Sequence, residues 1–313
     1  MKKNQVYCEK THRVPRWLRS LWRSKTGLIG LLIVLTVTIC AVFAPYIAPY
    51  SPSEMHPVDM LVPPFFSEGG STRYLLGTDN LGYDILSRII YGARVSLLIG
   101  VLSVVVAGVI GTLLGLLAGY YGGILDGIIM RITDAFHSIP RTLLALVAVV
   151  LMNGSLVTII IVIGVTGWIT YARLIRSEVL SLRQREFVKA AITIGTPDWQ
   201  IITRHILPNV FSSFVVVSTL AVASSIIAET SLSFLGLGIN PPDISWGFML
   251  SIGRNYLSSH WWVATWPGIA LTVTVLGIMF LGNWLRDYLD PHNQGLSGGH
   301  RYVQRCSFEG QKP

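Results

Sequence analysis

The sequence predicts an all-α integral membrane protein with six transmembrane helices and both chain ends in the cytoplasm. Three observations carry that expectation. Of 313 residues, 51% are apolar and 13% are charged, well below the roughly 25% charged share of soluble domains, and the mean hydropathy is +0.57. Uncharged blocks fall at 27–48, 95–125, 142–172, 206–228 and 255–285, and each can supply the roughly 20 apolar residues of a bilayer span. Basic residues flank these blocks unevenly, which sets orientation. A chain of this length could form two soluble domains, but the blocks are too long for buried core helices, so one membrane domain is the simpler plan.

The first span, 27–48, follows a leader carrying Lys2, Lys3, Lys10, Arg13, Arg16, Arg19, Arg23 and Lys25, so residues 1–26 are assigned to the cytoplasm. The leader is long, the apolar run is span-length, and Pro45 after Ala44 is a poor cleavage context, so the segment reads as an uncleaved anchor. Cys40 follows the bulky Ile39 and does not fit a lipidation site. With Cys8 and Cys306 it falls in the cytoplasm or the membrane, where disulfides are not expected. The next segment, 49–94, is assigned as a periplasmic loop and lead-in, because Glu54, Asp59, Glu68, Asp79 and Asp84 outnumber Arg73 and Arg88 over 49–90.

Residues 95–285 form the core membrane domain. In the second span Gly111, Gly115, Gly119 and Gly123 recur every four residues and predict a flat face. Such a face serves ordinary close helix packing or a crossing that must shift. Asn153-Gly154-Ser155 divides the block at 142–172, so a third helix over about 126–152 and a fourth beyond it are expected. That tripeptide also matches a glycosylation acceptor, but a short inter-helix turn explains it. The segment from 173 to 209 carries Arg173, Arg176, Arg183, Arg185, Lys189 and Arg204 and is assigned to the cytoplasm. The tail, 286–313, with Arg286, Arg301, Arg305 and Lys312, joins it there. The net charge of +8 reflects this asymmetry rather than nucleic-acid binding.

Within the cytoplasmic segment, "EFVKAAITIGTPDWQIITRHILPN" (186–209) interrupts apolar blocks with a polar, turn-containing insert. Helix is expected from Glu186 to about Ile194, with Gly195 as its positive-φ stop. Thr196 and Pro197 supply an N-cap and first-turn proline for a second helix, Asp198 suits its dipole, and Pro208 closes it. Ala190 and Ala191 together predict a bare surface for a close partner.

This stretch resembles the cytoplasmic coupling loop of ATP-binding-cassette importer permeases, whose motif is Glu-Ala-Ala, three residues, Gly, nine residues, Ile, any residue, Leu-Pro. Ala190, Ala191, Gly195, Leu207 and Pro208 fall at matching positions, with Lys189 at the Glu place and His205 at the Ile place. A His there is common in the peptide-transporting branch. "LLGTDNLGYDILSRIIYGARVSL" (75–97), "SLSFLGLGINPPDISWGFML" (231–250) and "GNWLRDYLDP" (282–291) extend the resemblance over nearly the whole chain, to the second permease subunit of dipeptide and oligopeptide importers. Tyr83 departs from the Arg usual in that family.

The resemblance implies the type I importer permease fold and alternating access driven from outside the chain. A periplasmic binding protein delivers solute, a sister permease completes a heterodimeric pore, and two cytoplasmic ATPase subunits use ATP to move the coupling loops. The chain itself would bind no cofactor and catalyse no reaction, since it lacks a phosphate-binding loop. "LSGGH" (296–300) imitates an ATPase signature, but a tail this short cannot supply the surrounding domain, and a flexible tail explains it. The resemblance also implies multi-pass residence in the bacterial inner membrane, contact with lipid, and a peptide cargo, with nickel or glutathione as alternatives on the same architecture.

Candidate translocation-path residues are Glu229, Asp134, His137 and Arg141. Glu229 ends the uncharged part of the fifth span, where an acid is a functional candidate by default. It has two readings: pairing with a peptide ammonium, or the plainer one, hydrogen bonding to Thr230, Ser231 and Ser233 at the periplasmic interface. Asp134, His137 and Arg141 fall at i, i+3 and i+7, on one face of the predicted third helix. They line an exit path or, more plainly, pair within the helix, Arg131 with Asp134 among them. The histidines show no metal-ligand spacing. Trp261, Trp262 and Trp266 fit an interfacial belt before the sixth span. A channel or secondary transporter would show a selectivity loop or inverted halves with broken helices, and neither is visible. A membrane-embedded enzyme would need convergent catalytic groups, which are also missing.

Overall fold

The computed structural model describes residues 20–22, 24–152, 154–239 and 241–289. The leader before residue 20, Arg23, Cys8, Asn153, Cys306 and the 296–300 tail motif lie outside the described residues. Among the described residues the regular elements are helices. Five helical runs are long and apolar enough to cross a membrane: α1 (Lys25–Val42), α2 (Ile85–Tyr121), α5 (Leu156–Arg183), the run Asp198–Phe234 and α9 (Trp262–Leu289).

The third expected helix, over about 126–152, is broken. It consists of α3 (Gly123–His137) and α4 (Arg141–Leu151), bent by 84° at the join. Pro140 explains the break: it has no N–H to donate to the preceding turn, and its ring disfavours helical backbone at Ile139. The pair counts as a sixth crossing only if taken as one span.

Polar caps mark where the other helices begin. Ser24 accepts from the Gly27 amide at 3.1 Å and starts α1. Asp84 accepts from the Ser87 amide at 2.8 Å, so α2 begins ten residues before the uncharged block at 95. At roughly 1.5 Å per residue its 37 residues exceed a bilayer core of about 30 Å. Ser155 accepts from the Thr158 amide at 3.2 Å and starts α5. Three further helices are α6 (Glu186–Thr193), α7 (Leu207–Phe234) and the short α8 (Trp246–Gly253), the last capped by Ser245.

Helices α2 and α5 form the most extensive pair. A Cβ on Gly111 would stand 2.4 Å from the Trp168 carbonyl oxygen, one on Gly115 2.7 Å from that of Ala172, and one on Gly119 2.8 Å from Val179 Cβ. These glycines therefore let the two backbones touch, as close packing requires. Gly123 does not belong to the face: it has φ +57°, opens α3 and has no neighbour within 4 Å of a Cβ position. On the other side α1 lies on α9, with Gly27 against Trp284 and Gly30 against Leu281. Ala223 and Ile226 of α7 pack on Val275 and Ile278 of α9.

Residues 49–84 form a cap over the ends of α2 and α9. Asp79 and Arg88 make a buried ion pair, Asp79 Oδ1 accepts from the Leu81 and Tyr83 amides at 2.9 and 3.0 Å, and the Arg88 guanidinium lies 4.2 Å from the Tyr83 ring centre. Tyr74 donates to Asp59 at 2.8 Å; burial and that contact raise its phenol pKa to about 12. Trp262 corrects the aromatic-belt expectation. It is buried against the cap and donates to the Thr78 carbonyl at 3.2 Å, while Trp261 is exposed.

Candidate functional site

Only Gln184 and Arg185 separate α5 from α6 (Glu186–Thr193). Gly195 adopts φ +78°, its amide bonds the Ile192 carbonyl at 3.0 Å, and the Thr196 amide bonds that of Ala191 at 3.1 Å. This is how a helix end satisfies its free carbonyls, and the left-handed backbone at Gly195 is open to glycine at little cost. Val188 and Ala191 turn inward and join Leu116 and Tyr120 of α2, Ile175 and Val179 of α5, and Ile201 and Ile206. The expectation of a bare surface made by both alanines is therefore corrected. Ala190 is exposed, but Ala191 is buried, because adjacent helical residues point in different directions.

The second half of the hairpin also differs from expectation. A single turn, Asp198–Gln200, is preceded by Pro197 at the cap position, one residue later than Thr196. It leads through a widened turn, Ile201–Ile206, into α7 without interruption. Pro208 does not close this helix but sits in the first turn of α7. The widened turn accommodates it: the Leu207 amide bonds Ile202, five residues back, a register that absorbs the local mismatch around a residue lacking an N–H.

The hairpin's outer surface is apolar at several points. Ile194 is 81% and Trp199 61% exposed, and Phe187 and Ile192 are exposed beside them. Lys189 is exposed, His205 is half-buried with its ring 6.2 Å from that of Phe187, and Leu207 is partly exposed. Motif spacing alone passes over Phe187, Trp199 and the Tyr120 anchor beneath them. The signal for the first two was their apolar character within an otherwise polar insert.

The other candidates disperse. Glu229 is fully buried between α7 and α8, and its Oε1 accepts from Ser233 at 2.7 Å and Ser245 at 2.6 Å. Ser231 bonds the Ile227 carbonyl instead. Ser245, sixteen residues away, could not be paired with Glu229 from the sequence. Asp134 pairs with Arg173 of α5 at 2.7 Å, not with Arg131, and Asp126 accepts from Arg176 at 2.6 Å. The break at Pro140 takes Arg141 off the helical face shared by Asp134 and His137, correcting the single-face expectation.

Three neighbouring cavities of about 300, 290 and 180 Å³ lie among α2, α3, α4, α5 and α7, and Arg141 lines all of them. His137 lines the second, with Phe136 and Thr170. Asp134 and Glu229 line none of the three.

Comparison with known proteins fits this arrangement. Residues 111–294 match the family model described as "Binding-protein-dependent transport system inner membrane component", and residues 16–64 match "N-terminal TM domain of oligopeptide transport permease C". The chain is 42% identical over 281 residues to the di/tripeptide transport system permease protein DppC of Pseudomonas aeruginosa (strain UCBPP-PA14), covering 88% of this chain and 93% of that protein. It is 44% identical over 278 residues to the dipeptide transport system permease protein DppC of Escherichia coli (strain K12), with the same coverage. A solved structure of the MetNI methionine ABC transporter in an inward-facing conformation aligns with 66% of this chain and 98% of its own, at a TM-score of 0.55 and 19% identity, and shows a common fold. With its family match spanning more than half of the sequence, the chain belongs to the inner-membrane components of binding-protein-dependent transport systems, and is a multi-pass permease subunit of an ATP-binding-cassette importer in the bacterial inner membrane.

Proposed function

We propose that this permease carries short peptides across the inner membrane. The observation that supports this cargo is similarity over 88% of the chain to permeases named for dipeptide and di/tripeptide transport. A periplasmic binding protein presents the peptide, a sister permease forms the other half of the pore, and two ATPase subunits bind and hydrolyse ATP. The chain itself holds no cofactor and performs no catalysis.

The hairpin is the lever of this reading. Lys189, Ala190, Gly195, His205, Leu207 and Pro208, with exposed Phe187, Ile194 and Trp199, form the surface that an ATPase subunit covers. An apolar patch on a polar hairpin favours a protein partner. Ala191 supports that surface from inside. Because α6 and the turn before α7 pack directly on α2 and α5, displacement of the hairpin is transmitted to two membrane helices. The contact of Gly27 with Trp284 puts the start of α1 beside the end of α9, as one shared side of the membrane for these two helix ends requires. His137 and Arg141 face the central cavities of the path, whereas Asp134 and Glu229 hold neighbouring helices together.

Uptake of radiolabelled dipeptides and tripeptides, with nickel and glutathione in parallel, tests the cargo in cells lacking the gene and in complemented cells. Peptide uptake should disappear in the deletion and return on complementation. Retained peptide uptake with loss of nickel or glutathione uptake would replace the cargo.

A further inference from the structure

Arg141 differs from the three arginines that join elements of the bundle through a carboxylate. Arg88 pairs with Asp79, Arg173 with Asp134 and Arg176 with Asp126. Among the described residues, no carboxylate lies within ion-pairing distance of Arg141. Its protein partners are the Ile163 carbonyl, which accepts from Nη2 at 3.1 Å, and the Thr166 hydroxyl, at 3.4 Å from Nε. A guanidinium carries five N–H donors, so the fork retains donors for another acceptor.

The position makes that spare capacity informative. At roughly 1.5 Å per residue, Ile163 and Thr166 lie about 10–15 Å into α5, well inside the span. A charge at this depth is costly and marks a substrate pathway by default. Moreover, Arg141 is the residue common to all three cavities. The first is mostly apolar, with Leu146, Leu232 and Ser231 on its walls. The third presents Tyr171, Ser224 and Ser225. Apolar pockets and hydroxyls around one cation match a short peptide, with side chains, backbone amides and a terminal carboxylate.

We propose that Arg141 is a carboxylate-binding station on the translocation path, taking the free C-terminal carboxylate of a passing peptide. This rests on the peptide-permease reading. Tethering by Ile163 and Thr166 orients the fork at the break between α3 and α4, where a two-pronged contact with a carboxylate is geometrically favoured. Such a station would select free peptides inside the membrane, after release from the binding protein.

The test uses the whole importer, with its binding protein, in proteoliposomes. Uptake of a tripeptide is compared with that of its C-terminal amide, each supplied at equal measured occupancy of the binding protein. The wild type should carry the acid about tenfold faster, the scale of one charge-assisted hydrogen bond. Arg141→Gln should bring the acid down towards the amide rate, and Arg141→Lys should restore part of the preference. Equal wild-type rates for acid and amide would overturn the station however the variants fold. Equal slowing of both peptides in Arg141→Gln would also overturn it, assigning Arg141 to helix packing or to an acidic group of the sister permease. A wild-type importer that moves neither peptide would instead overturn the peptide reading beneath it.

Discussion

Tyr120 at the end of α2 donates to Asp198 Oδ1 at 2.7 Å, across 78 residues of sequence. The contact fastens the second half of the hairpin to a membrane helix, and the Arg183 guanidinium lies 5.7 Å from the same tyrosine ring. Movement of the hairpin and movement of α2 are thereby tied through a side chain as well as through the apolar core. Tyr120→Phe should weaken the attachment by about 1.5–3 kcal/mol, the net value of a hydrogen bond to a charged group. Hydrogen–deuterium exchange across 186–206 should rise several-fold in this variant. Unchanged exchange would mean that the apolar core alone holds the hairpin.

The two alanines of the hairpin should behave differently. Ala190→Trp leaves the core untouched and should abolish co-purification of the ATPase subunits while the permease still elutes as a folded protein. Ala191→Trp overfills the cluster around Val188 and Ile206 and should cost about 1–3 kcal/mol or more, read as a lower melting temperature in detergent. If Ala190→Trp retains the ATPase subunits, that face is not their docking surface.

Glycines on α2 and α3 offer a second contrast. Gly115→Leu would force atoms into the α5 backbone and should prevent recovery of monodisperse protein. Gly127 has nothing within 4 Å of a Cβ position and lies within α3. Gly127→Ala should therefore be neutral or stabilising by up to about 1 kcal/mol through the helix preference for alanine. A melting temperature that falls in Gly127→Ala would show a close neighbour at that site in the assembled importer.

Glu229→Ala would leave the Ser233 and Ser245 hydroxyls without their shared acceptor inside the protein. The loss should be about 2–3 kcal/mol, visible as lower thermal stability and faster proteolysis of the segment joining α7 to α8. A variant of normal stability that fails to import peptide would return Glu229 to the substrate path.

Much of the architecture is legible without coordinates. Uncharged blocks locate spans because the bilayer demands a minimum apolar length, and Gly195 marks the hairpin turn because its backbone requirement is local. Pro140 also has a readable meaning, since a proline ends or kinks a helix at the residue before it, but the expectation of one helix over about 126–152 passes over it. Ala191 was misplaced because a motif lists residues in line, whereas a helix turns about 100° between neighbours.

By itself the sequence determined the membrane class, the approximate spans, the hairpin with its glycine stop, and the family to which the residues point. These depend on composition, spacing and backbone preference over short stretches. Only the tertiary structure decided that α3 and α4 meet at a bend, that Glu229 answers to Ser245, that Asp134 is taken by Arg173, and that Arg141 faces three cavities with no carboxylate at ion-pairing distance among the described residues. The reason is physical: a charged or polar side chain chooses its partner from whatever distant helix the packing brings within about 3 Å, and that choice is made by how α2, α5 and α7 fit together.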